Sequence, residues 1–254
     1  VKVFAVYNIK GGVGKTAAAV NLSYLSSRTG VRTLLWDLDP QGAATFYFRI
    51  EAKVKGGARG LVKRKRDPDS LLRGTDFEGL DLLPADFSYR NLDLALDEAG
   101  KPRKRLSRVL KPLAAEYEHA FLDCAPSISL VSESIFAAAD VLLVPTIPTT
   151  LSLRTLDQLA EHLEKEGAIH LRVLPFFSMV DLRKAMHREV MECAQNGPFP
   201  FLETAIPYSA WVERMGIERG PVATFAANTE AARSYYRLWL EISTRIRRGP
   251  HAGA

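Results

Sequence analysis

The chain holds few of the residues that staple a fold or anchor it. Its two cysteines, Cys124 and Cys193, lie far apart and outside any Cys-x-x-Cys spacing. That excludes a disulfide framework and a cysteine-built zinc site. His119, His162, His170 and His187 are scattered with no ligand spacing, and neither Ser127 nor Ser132 has a His/Asp arrangement to make it a nucleophile. No apolar run reaches the ~18 residues of a membrane span, because Asp140 interrupts the best candidate. Internal repeats and low-complexity linkers are absent. The chain opens on a strand-like run instead of a secretory leader, so the expected location is the cytoplasm. What remains is 254 residues, 47% hydrophobic and 25% charged, enough for one globular domain with a full core.

The most informative segment is Lys10-Gly11-Gly12-Val13-Gly14-Lys15-Thr16. It follows an apolar strand, Val3–Tyr7, and opens an alanine-rich helical run, Lys15–Arg28. Strand, glycine-rich turn and helix make the setting of a phosphate-binding loop. Glycines let main-chain N–H groups turn inward on an anion, and the helix N-terminus adds unpaired donors. Lys15 would pair with the β- and γ-phosphate oxygens of a nucleotide, and the Thr16 hydroxyl would hold Mg²⁺. The general pattern wants glycine at position 9, where this chain has Ile9, and a second lysine, Lys10, stands at the front of the loop.

Carboxylates recur at the ends of apolar strands. Asp37 and Asp39 close Leu34-Leu35-Trp36, and Asp123 closes Ala120-Phe121-Leu122. An open α/β sheet places its ligands at such C-terminal strand ends. Buried there, carboxylates need a cation or a water network. Asp123 would bind Mg²⁺ through water, whereas Asp37 and Asp39 could also be a solvated turn capping the next helix.

Strand and helix alternate along the chain. Strands are expected at Val3–Tyr7, Thr33–Trp36, Leu80–Leu83, Ala120–Leu122, Val141–Val144, Val173–Phe177 and Thr204–Ile206. Helices are expected at Lys15–Arg28, Tyr89–Glu98, Leu106–Glu116, Leu130–Ala139, Ser152–Glu166, Leu182–Gln195 and Thr229–Ile246, with a less regular stretch over about 46–79. The pattern predicts an α/β fold: a mainly parallel twisted sheet covered by helices on both faces. One domain over 1–248 with a disordered tail at 249–254 accounts for the whole chain. Trp211 and Met215, four apart, are expected to pack a helix.

The lysine-led loop resembles the deviant Walker A motif of the ParA/MinD branch of P-loop ATPases. Two more motifs follow in that family's order: Asp37-Leu38-Asp39-Pro40-Gln41-Gly42, and Asp123-Cys124-Ala125-Pro126 as a Walker B. Val141–Pro145, Ser178–Asp181 and Ala205-Ile206-Pro207 fit as well, so the resemblance spans residues 1 to about 245 and is nearer to ParA than to MinD. It implies an ATPase with ATP and Mg²⁺ as cofactors. Lys10, Gly11, Gly12, Val13, Gly14, Lys15, Thr16 and Ala17 would contact the phosphates, and Pro207 and Ser209 the base side. Thr16, Asp37 and Asp123 would serve the metal, and Asp39 would position the attacking water. Lys10 would reach the partner's phosphates across an ATP-dependent homodimer, which requires Gly12 to stay small; the alternative for Lys10 is a solvated surface lysine. Ala17 stands where the family usually has threonine, and Ser209 where it usually has asparagine. The resemblance also implies non-specific DNA binding, nucleoid association in the ATP state, and a ParB-like or other adaptor that stimulates hydrolysis. The alternatives are a MinD-like membrane ATPase and a nucleotide-gated binding module with negligible hydrolysis. The chain has no room for the N-terminal helix-turn-helix of larger ParA proteins.

The formal net charge is +5, and the basic residues are clustered. Lys53, Lys55, Arg59, Lys63, Arg64, Lys65 and Arg66 form one run; Lys101, Arg103, Lys104, Arg105, Arg108 and Lys111 form a second; Arg245, Arg247 and Arg248 close the last helix. Basic patches neutralise phosphates regardless of base sequence. Arg233, Arg237 and Arg245, at helical intervals, are the candidate DNA contacts. The same helix mixes aromatic, apolar and basic residues as interfacial helices do, but Tyr235, Leu238, Ile242 and Ile246 have ordinary core spacing, so membrane attachment is not expected.

Overall fold

A computed structural model describes residues 1–63, 67–168 and 170–247. The expected tail over 249–254, together with Arg64, Lys65, Arg66 and Arg248 of the basic runs, lies outside the described residues. The chain runs β1 (Lys2–Val6), α1 (Lys15–Ser27), β2 (Thr33–Asp37), α2 (Ala43–Tyr47), α3 (Gly57–Val62), β3 (Arg73–Gly74), β4 (Leu80–Leu83), α4 (Leu92–Glu98) and α5 (Arg105–Leu113). It continues through β5 (His119–Asp123), α6 (Leu130–Ala138), β6 (Val141–Thr146), α7 (Thr150–Lys165), β7 (Arg172–Phe177) and α8 (Ala185–Cys193). Four helices close it: α9 (Ala210–Glu213), α10 (Met215–Glu218), α11 (Val222–Phe225) and α12 (Glu230–Arg247).

The strands form one seven-stranded sheet in the order β3-β4-β2-β5-β1-β6-β7, parallel throughout except for β3 against β4. Each central strand is apolar on both faces, as a sheet covered on both sides requires. Val3, Ala5, Leu34, Trp36, Ala120 and Leu122 face the helices α3 to α7. Phe4, Val6, Leu35, Phe121 and Leu143, alternating with them, face α1, α12 and the short helices α2, α10 and α11. The α12 stripe behaves as its spacing predicts: Tyr235, Leu238 and Ile242 are buried with Trp239, and Ile246 packs at the edge of that core. Among the described residues no helix is long and apolar enough to cross a membrane.

Three expectations are corrected. Thr204–Ile206 is not a strand. Leu202 and Ile206 donate main-chain bonds to Pro175 and Phe177 of β7, and a lone parallel bridge joins Val180 to Pro207. No regular ladder forms there because the two segments run out of step, the donors being four residues apart and their acceptors only two. The stretch over 46–79 is more ordered than expected, holding part of α2 and all of α3 and β3. Its helices follow glycines in the left-handed region, Gly42 (φ 66°) and Gly56 (φ 90°). Trp211 does not share the burial of Met215: its ring is 43% exposed and lies under the Arg214 guanidinium.

Candidate functional site

β1 lies between β5 and β6, so the loop that follows it emerges at the centre of the sheet's C-terminal edge. In register, Val6 stands beside Asp123 and Asp123 beside Asp37. The end of β1 and two carboxylates therefore share one row beneath the loop. Asn8 starts the turn: its Nδ2 donates to the Pro145 carbonyl at 2.8 Å, and its Oδ1 accepts from the Lys10 N–H at 2.9 Å.

Gly14 is left-handed at φ 90° and precedes α1 without any side-chain cap, so the first-turn N–H groups of α1 have no side-chain acceptor. A methyl group at Gly14 would lie 2.9 Å from Ser178 Oγ, which makes glycine obligatory there on both conformational and steric grounds. Gly12, at φ 70°, would meet nothing within 4 Å in its own chain. Gly11 and Gly12 are exposed, Val13 and Lys15 are buried, and Thr16 and Ala17 are half-buried. Lys15 Nζ donates to the Lys10 carbonyl at 2.7 Å. Burial lowers its pKa, while Asp123 and Asp39 favour the ammonium. Lys10 itself forms no ion pair among the described residues, and its Nζ lies 3.4 Å from Ser152 Oγ at the start of α7.

The two strand-end carboxylates differ sharply. Asp37 is buried and satisfied: Oδ2 accepts from the Thr45 N–H at 2.8 Å and the Thr45 hydroxyl at 2.7 Å, and Oδ1 from the Asp39 N–H at 3.2 Å. Burial pushes its pKa up to about 6 against those bonds. The Thr45 hydroxyl also accepts from the Ala85 N–H at 2.8 Å, so Asp37 anchors α2 to the segment after β4. Asp123 is equally buried, yet neither of its oxygens has a hydrogen-bond partner. Burial raises its pKa well above the carboxylate range and Asp37 adds to this, while Thr16, close by without completing a hydrogen bond, and Lys15 oppose it.

That uncompensated carboxylate is the observation that fits a divalent cation. A buried, orphaned pair of oxygens beside a threonine hydroxyl is the hard-oxygen donor set Mg²⁺ takes, and the cation's charge would remove the cost of burying Asp123 ionised. Asp39 is half-buried at the rim, with Oδ1 accepting from the Gln41 N–H at 2.9 Å.

The base-side residues stand apart from the loop but are tied to it. Ser178 and Met179 adjoin Gly14, and Val180 is bridged to Pro207, with the Tyr208 N–H donating to its carbonyl at 2.9 Å. Ser209 caps α9, its Oγ accepting from the Trp211 N–H at 3.2 Å. Buried Asn21 of α1 joins the same region: Oδ1 accepts from the Val222 N–H at 2.8 Å, and Nδ2 contacts Met215 Sδ at 3.3 Å. The candidate DNA residues are not free cations. Arg233 and Arg237 both pair with Glu230, and Arg245 pairs with Glu241 at 3.2 Å. Asn8, Asn21 and Thr45 are the supporting residues sequence reasoning missed, and Ser178 was named there without its contact to Gly14. Only Asn21, four residues beyond Ala17 on the expected helix, left a readable trace.

A family model described as an AAA domain, AAA_31, matches residues 1–170. The sporulation initiation inhibitor protein Soj of Bacillus subtilis is 28% identical over 251 residues, covering 95% of this chain and 98% of Soj. The chromosome partitioning protein ParA of Myxococcus xanthus is 29% identical over 252 residues, covering 96% of this chain and 88% of that protein. A solved structure of cobyrinic acid a,c-diamide synthase from Mycobacterium smegmatis, with bound ATP analogue and magnesium, superposes with a TM-score of 0.83. It is 25% identical and covers 99% of this chain and 96% of its own.

Proposed function

The chain belongs to the AAA-domain family AAA_31 and is an ATPase of the ParA/MinD type that uses ATP and Mg²⁺; on that footing we propose that it is a dimerising switch that binds DNA non-specifically and positions cargo. Nucleotide-dependent partition or positioning is the role of its family. The observation that carries the reading is the loop itself, with a lysine at each end and the orphaned Asp123 carboxylate beneath it. Residues 1–248 act in this reading as one domain.

On ATP binding, Lys15 leaves the Lys10 carbonyl and turns Nζ onto the β- and γ-phosphate oxygens, while the main-chain N–H groups of residues 11–17 surround the phosphates. Thr16 and Asp123 would hold Mg²⁺, which would supply charge neutralisation on the transferring phosphoryl group. Asp37 would support the metal's shell and, through its bonds to Thr45 and Asp39, keeps α2 and Asp39 in register beside the site. Asp39 orients the water that attacks the γ-phosphorus. Lys10, held by no carboxylate, reaches the phosphates of the second protomer and adds positive charge where the leaving oxygen develops negative charge. Gly12 lets the two loops approach. Pro207 and Ser209 border the base, and Ala17 offers the α-phosphate an N–H but no hydroxyl. Hydrolysis is slow alone and stimulated by an adaptor protein, and the ATP dimer resides on nucleoid DNA.

The test is binding to non-specific duplex DNA with ATP, with ADP and without nucleotide, across a salt series. Binding that is salt-steep and confined to ATP is expected. Equal binding in all three states, or none in any, refutes the switch.

A further inference from the structure

The three basic runs of the sequence are not equivalent once their partners are seen. Arg233 and Arg237 share Glu230, and Arg245 has Glu241. Arg59 and Lys63 both pair with Glu98, whereas Lys53 and Lys55 form no ion pair among the described residues, which exclude Arg64, Lys65 and Arg66. The run from Lys101 to Leu113 contains no acidic residue. Within it Arg103 is committed to Glu133 and Glu166. Lys104, Arg108 and Lys111 form no ion pair among the described residues.

These three residues follow an i, i+4, i+7 spacing on α5 and its N-cap, so they lie on one side of the helix. Leu106, Val109, Leu110 and Leu113 bury the other side in the core. Lys104 and Lys111 are exposed and Arg108 half-buried. Seven residues of helix span roughly 10 Å, and duplex DNA carries one phosphate charge per ~1.7 Å of axis. The stripe therefore sets three uncompensated cations along a length of duplex that carries about six phosphates on its two strands together. An anionic membrane fits less well, because the apolar residues of α5 are buried and none is left to enter the acyl boundary.

We infer that the outer face of α5, through Lys104, Arg108 and Lys111, is a surface of this chain for the phosphate backbone of duplex DNA. The inference rests on the DNA-binding reading above and assigns its place. Each phosphate contact releases counterions, so log K falls with log salt by about 0.9 per contact. Removing three contacts flattens that slope by about 2.7, and at 0.1 M salt weakens binding by two to three orders of magnitude, on the order of 500-fold.

The experiment measures duplex binding by fluorescence anisotropy in Mg-ATP from 50 to ~300 mM salt. It compares wild type, Lys104→Ala/Arg108→Ala/Lys111→Ala, and Arg233→Ala/Arg237→Ala. The α5 variant is expected to lose the slope and affinity stated while keeping wild-type ATP affinity and melting temperature. The α12 variant is expected to stay within a few-fold of wild type. Wild-type binding with an unchanged slope in the α5 variant overturns this inference alone. Wild type that binds no duplex in any nucleotide state overturns both this inference and the reading beneath it. Binding to phosphatidylserine vesicles that the α5 variant loses, with no duplex binding, overturns the choice of DNA.

Discussion

Asp123→Asn should make the nucleotide-free protein more stable and the nucleotide-bound protein less so. Both Asp123 oxygens are buried without partners, and burial together with Asp37 raises the carboxyl's pKa. A carboxyl whose folded pKa exceeds its unfolded value of about 3.9 contributes fully below that pH. Its contribution is then lost progressively as pH rises towards the folded value. At neutral pH the wild type therefore carries the cost of this group, either as an ionised buried carboxylate or as one held protonated. Asparagine keeps the shape and removes the charge. A buried unsatisfied polar group costs about 1–3 kcal/mol and a charged one more. The amide keeps part of that cost, so the net gain is about 1–2 kcal/mol. For a chain of this size that raises Tm by about 2–8 °C.

The assay is thermal unfolding of both proteins in EDTA from pH 5 to 8, repeated with ATP and with ATP plus Mg²⁺. The advantage of the variant in EDTA should grow with pH. A ligand at 100 times its Kd stabilises by about 2.7 kcal/mol. The wild type should show the Mg²⁺-dependent part of that increment and the variant should not, so the two rank oppositely in EDTA and in Mg-ATP. A variant less stable than wild type in EDTA at every pH, or one that keeps the Mg²⁺ increment, refutes the assignment of Asp123.

Four other outcomes follow from the same geometry. Lys15→Ala should abolish nucleotide binding in calorimetry while costing the free protein only the bond to the Lys10 carbonyl, about 0.5–1.5 kcal/mol; unchanged ATP affinity contradicts the loop assignment. Asp39→Ala should accumulate an ATP-bound dimer, seen by light scattering, and turnover at the wild-type rate rules out its role. Thr45→Val strips a donor from Asp37 and an acceptor from the Ala85 N–H, both buried; a loss of about 2–4 kcal/mol is expected in urea unfolding, and a change under about 0.5 kcal/mol would remove Asp37 and Thr45 as an anchor. Gly14→Ala combines a left-handed backbone, costing about 1–2 kcal/mol, with a contact to Ser178 Oγ. Adding Ser178→Ala should therefore restore part of the lost stability, and full restoration or none disproves one of the two causes.

The phosphate loop and the strand-end carboxylates were legible because they are local. Glycine and lysine spacing, an apolar run and a terminal Asp all sit within a few residues of one another. That Asp37 and Asp123 stand side by side was not legible, since it depends on β2 pairing with β5 across the intervening α2 to α5. Nor could the sequence separate their roles: Thr45, eight residues beyond Asp37, decides that one carboxylate is satisfied and the other is not. The stretch over 46–79 hid its helices because five or six residues are under two turns, too short for a periodic signal or for stability without packing. Thr204–Ile206 misled in the opposite sense: its composition suits a strand, but it meets β7 out of step, through Leu202 to Pro175 and Ile206 to Phe177 alone.

The basic clusters show a different kind of gap, one of reading rather than of information. The helical spacing of Arg233, Arg237 and Arg245 pointed to α12, yet Glu230 lies three residues before Arg233 and seven before Arg237, within reach on the same helix. Charges so paired carry little field beyond their own pair, whereas a stripe without acids keeps its full attraction for phosphate. The relevant sequence signal for a polyanion surface is thus cations minus the carboxylates one or two turns away. By that measure the acid-free run of Lys101 to Leu113 ranks above α12.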